Sequence, residues 1–134
     1  MIDPQNVPPV DDEELLARFI VHSNHVRHDG TVRPQLFVPH KWVDLSVNRH
    51  RDAAIEETWS VGSQVAVKRG KTLLGRADIL AGACRISPLC VGPSPFPDNS
   101  NHAEISGFPP AKPDQMSLAS KLAAAIEGPW TASP

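Results

Sequence analysis

Residues 42–60 read WVDLSVNRHRDAAIEETWS, and this stretch contains the change of pattern that decides the fold class. Apolar and polar side chains alternate over residues 43–47, which predicts a strand with one buried face. Asp52 then caps a helix that runs to about Ser60 and ends at Gly62. Because strands and helices are mixed without a repeating βαβ unit, we predict an α+β domain with a small mixed or antiparallel sheet and two or three helices.

The elements on both sides of this stretch are predicted from apolar patterns and from flanking Asp, Ser, Gly or Pro residues. They are a short helix over 13–17, strands over 18–22, 33–38, 64–68 and 102–105, and a helix over 117–127. The last of these places its apolar residues on one face. The predicted core consists of Phe19, Val21, Leu45, Val47, Val65, Val67, Ile79, Leu118, Leu122 and Ile126.

Proline is abundant, with 14 residues in a chain of 134. Seven of these prolines lie between residues 87 and 113. No long helix can form there, so a long proline-rich loop is expected. We predict an irregular N-terminal arm over 1–10, a single compact domain over 11–128, and a C-terminal tail over 129–134.

Charge and cysteine content exclude several classes of protein. The first 14 residues contain five acidic and no basic side chains, whereas residues 15–85 contain eleven Lys or Arg and six Asp or Glu. Such a mildly basic middle suits an anion, a nucleotide or an acidic partner, the alternative being a solvated surface of mixed charge, and it argues against a duplex-binding domain. Two cysteines make no disulfide framework, and no apolar run is long enough for a membrane span. We therefore expect a cytoplasmic protein with free thiols, without membrane association.

Three motifs fail on spacing. Gly70-Lys71-Thr72 lacks the upstream glycine of a phosphate loop, because that position is Val65. His102-x-Glu104 lacks the downstream cysteines of a zinc deaminase. Histidines 22, 25 and 28 do not converge on one face of either a strand or a helix. We therefore predict no metal and no cofactor.

The remaining concentration of reactive side chains lies in residues 93–104, PSPFPDNSNHAE. Prolines stiffen this loop, and a rigid loop presents polar groups at low entropic cost. Asp98, Asn99, His102 and Glu104 are candidates for a binding site. The alternative is a surface loop whose Asn and Asp residues serve turns.

Two resemblances accompany these patterns. The Arg of residues 16–20 (LARFI), the Leu-Ser-Val of residues 45–47 and the Asn-x-x-His-Ala run that begins at Asn99 together resemble a family of small uncharacterised bacterial proteins. This resemblance covers residues 15–125 and implies a bacterial origin and one compact domain. It implies no function.

The chain is also weakly similar to the ADP-ribosyltransferase fold, in which an Arg, a Ser and a Glu lie on an early, a middle and a late strand. Arg18, Ser46 and Glu104 occur in that order. The similarity implies that Arg18 holds a phosphate, Ser46 orients the site, and Glu104 stabilises positive charge on the ribose. In this chain Val47 replaces the Thr-Ser usual after the Ser, and no aromatic cluster for nicotinamide is evident.

Two functional hypotheses result. The first is a binding or accessory domain that recognises a protein partner or a small anionic ligand, with Arg18, Ser46, Asn99, His102 and Glu104 as ligand-binding residues. Trp42, Trp130 and the loop over 93–97 are possible contributors to a partner surface. The second is an enzyme that acts on a nucleotide or NAD through Arg18, Ser46, His102 and Glu104. The enzyme hypothesis requires its four residues to converge within one pocket.

Overall fold

A six-stranded antiparallel sheet lies at the centre of the computed structural model, which describes residues 1–40 and 44–132. The strands are β1 (Leu15–Ile20), β2 (Leu45–Arg49), β3 (Gly75–Leu80), β4 (Cys90–Pro93), β5 (His102–Ser106) and β6 (Glu127–Thr131), in the order β4-β5-β2-β1-β3-β6. The helices are α1 (Ile55–Lys68), α2 (Ala81–Ile86) and α3 (Lys112–Ala124), with 3-10 turns at Ser23–His25 and Pro34–Phe37. The sheet is open. Its antiparallel strands together with the three helices confirm the prediction of an α+β domain.

The two faces of the sheet carry different layers. One face contributes to a buried apolar cluster, which includes Leu16, Ile79 and Ile105 of the sheet. Phe37 of the second 3-10 turn and Leu122 of α3 belong to the same cluster. The opposite face is covered by α1, whose close approach explains a glycine within the helix. A Cβ atom at Gly62 would lie 2.7 Å from the ring of Phe19. Helices therefore cover both faces of the sheet.

Helix α1 corrects two predictions. It continues through Gly62 to Lys68, so the predicted end at Gly62 and the predicted strand over residues 64–68 are both wrong. Val67 is consequently 74% exposed on the helix rather than part of the core. The helix begins at Ile55, where the Glu57 carboxylate accepts a hydrogen bond from the Ala54 N–H at 2.9 Å. Packing against the sheet outweighs the helix-ending tendency of an isolated glycine.

Other boundaries also differ from the predictions. Residues 15–17 belong to β1 rather than to a helix, and residues 34–37 form a 3-10 turn with Pro34 in its first turn rather than an edge strand. Helix α3 begins at Lys112, with Pro113 in its first turn, where no backbone N–H is needed. The predicted tail contains the end of β6, because Trp130 pairs with Arg76 of β3. The strands predicted around residues 45–47 and 102–105 are present as β2 and β5.

The N-terminal arm has no regular element, but it is attached to the domain. Ile2 is buried, and its N–H donates to Asn101 Oδ1 at 2.9 Å. Arg49 is fully buried and donates to the carbonyls of Pro8 and Pro9 at 2.8 and 3.0 Å. Arg49 also donates to both carboxylate oxygens of Glu14, at 2.7 and 2.8 Å. The arm is therefore held by a charged residue at the end of β2.

Candidate functional site

An interruption in strand pairing positions the candidate site. Strand β1 pairs with β3 along its whole length, but its ladder with β2 covers only Leu16–Arg49 and Ala17–Asn48. Residues 18–20 of β1 and 45–47 of β2 continue past the last pair without further ladder pairing between them. We call this gap the β1–β2 opening.

Arg18 occupies the β1–β2 opening. Strand alternation places it on the same face as Leu16 and Ile20, where an unpaired guanidinium would be costly. Its Nε donates to the Leu36 carbonyl at 2.9 Å and its Nη1 to the Ser46 carbonyl at 3.0 Å. The side chain therefore takes the place of part of the missing ladder and joins β1 to β2 and to the 3-10 turn.

Arg18 remains a cation without a carboxylate partner among the described residues. An arginine has five N–H donors, and two of those of Arg18 bond protein carbonyls. Burial, together with the positive charge of Arg69, lowers the pKa of Arg18 to about 10. This pKa is still far above neutral pH, so Arg18 provides a fixed positive charge at the opening.

A first pocket, of about 290 Å³, lies between the opening and α1. Its apolar wall comes from the sheet, from α1 and from residues 94–101, which connect β4 to β5 and are the part of the predicted proline-rich loop meant by that name below. The wall consists of Phe19, Val21, Val47, Val61, Val65 and Phe96. Its polar and charged lining consists of Arg18, Ser46, Asn48, Gln64, Lys68, Arg69, Asp98, Asn99 and His102. Although polar residues outnumber apolar ones in this lining, most of the surface of the pocket is apolar, as is usual for a small-molecule site.

Several polar side chains of this first pocket bond to one another. Asn99 Nδ2 donates to Asn48 Oδ1 at 2.7 Å, and Lys68 Nζ donates to Asp98 at 2.8 Å. The Lys68–Asp98 contact joins α1 to the proline-rich loop, and hydrogen bonding to Lys68 lowers the pKa of Asp98. The Asn99–Asn48 bond holds the loop against β2, the Lys68–Asp98 bond holds it against α1, and together they define one side of the pocket.

His102 is held in one orientation. Its Nδ1 lies 2.7 Å from the Ser94 carbonyl, which can only accept, so Nδ1 carries the proton. The imidazole also stacks on Phe96, with ring centroids 4.1 Å apart and an interplanar angle of 25°. The hydrogen bond to Ser94 ties the loop to β5, a structural role that buried histidines often have. Nε2 remains as the free ring nitrogen of a pocket residue.

The structure brings together four of the five predicted ligand-binding residues. Arg18, Ser46, Asn99 and His102 all line the first pocket, and of these Asn99 is bonded to a neighbouring asparagine. Glu104 is not among the described residues that line it, although it lies opposite Ser46 in the β2–β5 ladder. The four residues of the enzyme hypothesis are therefore not gathered in this pocket.

Sequence reasoning missed the wall formed by α1. Val61, Gln64 and Val65 line the pocket because α1 is longer than predicted. Their spacing of three and four residues is the signal of one helical face, but Gly62 directed the interpretation towards a break. Arg69, which follows α1 and directly precedes the rejected phosphate-loop motif, also lines the pocket.

A second pocket, of about 730 Å³, lies on the α3 side of the opening. It shares Arg18, Phe19, Val21, Ser46 and Arg69 with the first pocket, and it is otherwise lined by His22, His25, Gln35, Leu36, Val38, Pro39, His40, Asp44, Leu45, Lys112 and Met116. Each pocket is bordered by three Lys or Arg residues, but the second has three histidines where the first has one, and a larger share of its surface is polar. Burial lowers the pKa of His25, and the neighbouring His22 and Arg18 act in the same direction.

Other features of the described chain bear on function. Within residues 1–40 and 44–132, no group of three or more His, Cys, Asp or Glu side chains is arranged to hold a metal ion. None of the helices in the same ranges is long and apolar enough to cross a membrane. Cys84 is buried, which raises its thiol pKa to about 12, whereas Cys90 is exposed. Trp42 lies outside the described residues, and Trp130 is partly exposed on β6.

Comparison of the chain with protein-family models, with curated proteins and with solved structures finds no match.

Proposed function

We propose that the protein binds a small organic anion at the β1–β2 opening, with Arg18 as the charged anchor. The observation that carries this proposal is the state of Arg18: a cation held in place by two backbone carbonyls, with no carboxylate partner in the described part of the chain. Buried or half-buried charges in proteins are normally paired. An arginine that keeps unused donors beside two pockets is therefore suited to a ligand that supplies the negative charge.

The electrostatic surroundings support an anion. Arg69 borders both pockets together with Arg18, and the lysine of the first pocket, Lys68, is balanced by Asp98. In the first pocket, the positive charge that remains after this pairing is that of the two arginines. Low-dielectric walls strengthen the attraction of such a site for an anion relative to the attraction in water.

The two alternatives have less support. An enzyme acting on a nucleotide or NAD requires Glu104 beside Arg18 and His102, and Glu104 does not line their pocket. A partner protein requires a contiguous exposed apolar surface. The large exposed apolar residues of the described chain are distributed over the N-terminus, two helices, two strands and two connecting segments: Met1, Ile55, Val67, Leu74, Leu80, Ile86, Phe96 and Trp130. A bacterial origin and a cytoplasmic location stay predictions from the sequence.

Binding is tested by NMR, with backbone amide and arginine Nε–Hε signals followed during titration with acetate and with inorganic phosphate. We expect saturable shifts at Arg18, Ser46 and Arg69, which Arg18→Gln abolishes. Lys71→Gln, an exposed charge-matched change in the turn after α1, should leave these shifts intact. Shifts that are equal in the two variants, or absent from the opening, would contradict the proposal.

Arg18→Gln also removes two hydrogen bonds to carbonyls, so its fold must be checked. Arg18→Lys keeps the charge but not the forked donor geometry, and we expect it to retain weakened binding. Unchanged chemical shifts of β3 and α3 residues in the unliganded variants would show that loss of binding is not loss of structure.

A further inference from the structure

We infer that the ligand is a small amphipathic carboxylic acid, whose carboxylate is held by Arg18 and whose apolar body, about the size of one ring, fills the first pocket. This inference rests on the proposed function, because it assumes an anion at Arg18 and adds the chemistry of the remainder of the ligand. It is drawn from the difference between the two pockets that meet at the opening.

The carboxylate end follows from the donors that Arg18 keeps. With Nε and one N–H of Nη1 bonded to carbonyls, three N–H groups remain on Nη1 and Nη2. A carboxylate offers two oxygens in one plane, which a guanidinium binds through two parallel hydrogen bonds. Ser46 and Gln64 line the same pocket and can contribute further polar contacts.

The apolar body follows from the wall of the first pocket. Val61 and Val65 are four residues apart on α1 and therefore lie on the same helical face, and Phe19 and Phe96 complete the wall. In the pocket lining, Asn48 is hydrogen-bonded to Asn99, and Lys68 is hydrogen-bonded to Asp98. A hydrophobic ligand body leaves these pairs undisturbed, whereas a strongly polar one must compete with them.

The size of the pocket sets the size of the body. A volume of about 290 Å³ is at the lower end of ligand pockets, which run from roughly 300 to 1,000 Å³. One ring with a carboxylate suits this volume, whereas a base, a ribose and a phosphate together would have to extend outside it. A larger share of the surface of the wider second pocket is polar, so that pocket favours water or a polar group over an apolar one.

The test compares phenylacetate with acetate, inorganic phosphate and adenosine monophosphate, using the same NMR titrations. Burial of one ring predicts that phenylacetate binds roughly ten- to a hundred-fold more tightly than acetate. Val65→Asn introduces a polar group into the wall and should weaken phenylacetate binding more than acetate binding, so that most of this advantage is lost. Val67→Asn, two residues further on α1 and exposed, is the matched control and should change neither affinity.

The outcomes separate the inference from the proposed function. If none of the four probes causes Arg18-dependent shifts, the anion site itself is wrong, and the inference falls with it. If acetate or phosphate binds at Arg18 as tightly as phenylacetate does, the anion site stands and the apolar body is refuted. Tighter Arg18-dependent binding of adenosine monophosphate would overturn the inference in favour of a nucleotide.

Discussion

The substitution Glu14→Gln tests the ion pair that attaches the N-terminal arm and the start of β1 to the end of β2. Glu14 accepts two hydrogen bonds from Arg49, which is fully buried, and a third from the Asp11 N–H at 2.8 Å. Glutamine preserves the shape of the side chain but removes its charge. One of its two acceptor positions becomes an NH₂ group that faces the donors of Arg49.

The expected loss of stability follows from the burial of Arg49. Removing one member of a buried ion pair costs about 3–5 kcal/mol, because the partner charge stays buried without compensation. The carbonyls of Pro8 and Pro9 still accept from Arg49, which places the expected loss near the lower end of this range. With an m value of about 2 kcal/mol/M in urea, the unfolding midpoint falls by roughly 1.5 to 2 M.

The assay is urea unfolding followed by tryptophan fluorescence, with Glu13→Gln as the matched control. Glu13 is exposed and forms no ion pair in the described part of the chain, so its substitution should change stability by less than about 0.5 kcal/mol. The double variant Glu14→Gln with Arg49→Met should be more stable than Glu14→Gln alone, since it removes the stranded charge. A loss below about 1 kcal/mol in Glu14→Gln would refute the reasoning.

The pH dependence of stability provides a second check, which compares the wild type with Glu14→Gln. Burial alone would raise the pKa of Glu14, but hydrogen bonds from Arg49 and from the Asp11 N–H, with the charge of Arg49, hold it below its ordinary value. A lowered pKa in the folded state contributes stability above the ordinary carboxyl pKa, and this stability is lost as the pH falls through the folded-state pKa. We expect acid to destabilise the wild type more steeply than Glu14→Gln. Parallel pH profiles would contradict this expectation.

Three further predictions concern packing and thiols. Gly62→Ala should destabilise the protein by about 1–2 kcal/mol, although alanine has the better helix propensity, because the new Cβ would lie 2.7 Å from the Phe19 ring. An increase in the melting temperature would show that the ring moves aside without cost. Leu122→Ala should cost about 2–4 kcal/mol in urea unfolding because Leu122 is fully buried, and a loss below about 0.5 kcal/mol would mean that α3 is not docked. A thiol reagent should label exposed Cys90 within minutes and buried Cys84 only on unfolding, so two equally fast thiols would contradict the described burial.

Part of the candidate site was predictable because its residues carry their signal locally. The proline-rich loop and the alternating residues of β5 identified His102 and Asn99 from neighbouring positions alone. The similarity to the ADP-ribosyltransferase fold added Arg18 and Ser46, and both residues line the first pocket. Glu104 shares a strand face with His102, as spacing of two residues requires, but the pocket wall does not extend to it. Sequence spacing determines the direction of a side chain on a strand, not where a cavity ends.

The sequence by itself determined part of the local structure of this protein. Asp29-Gly30 forms a turn in which Gly30 has a φ of +87°, and the apolar residues of α3 lie on one helical face, because turn chemistry and periodicity act over a few residues. Only the tertiary structure decided that α1 continues through Gly62 and that β1 separates from β2 beyond Ala17. Both depend on long-range packing: the ring of Phe19 occupies the space beside the glycine, and the carbonyls of Leu36 and Ser46 receive the guanidinium of Arg18. Contacts between residues so far apart in the chain leave no periodic pattern in the sequence, and the β1–β2 opening depends on such contacts.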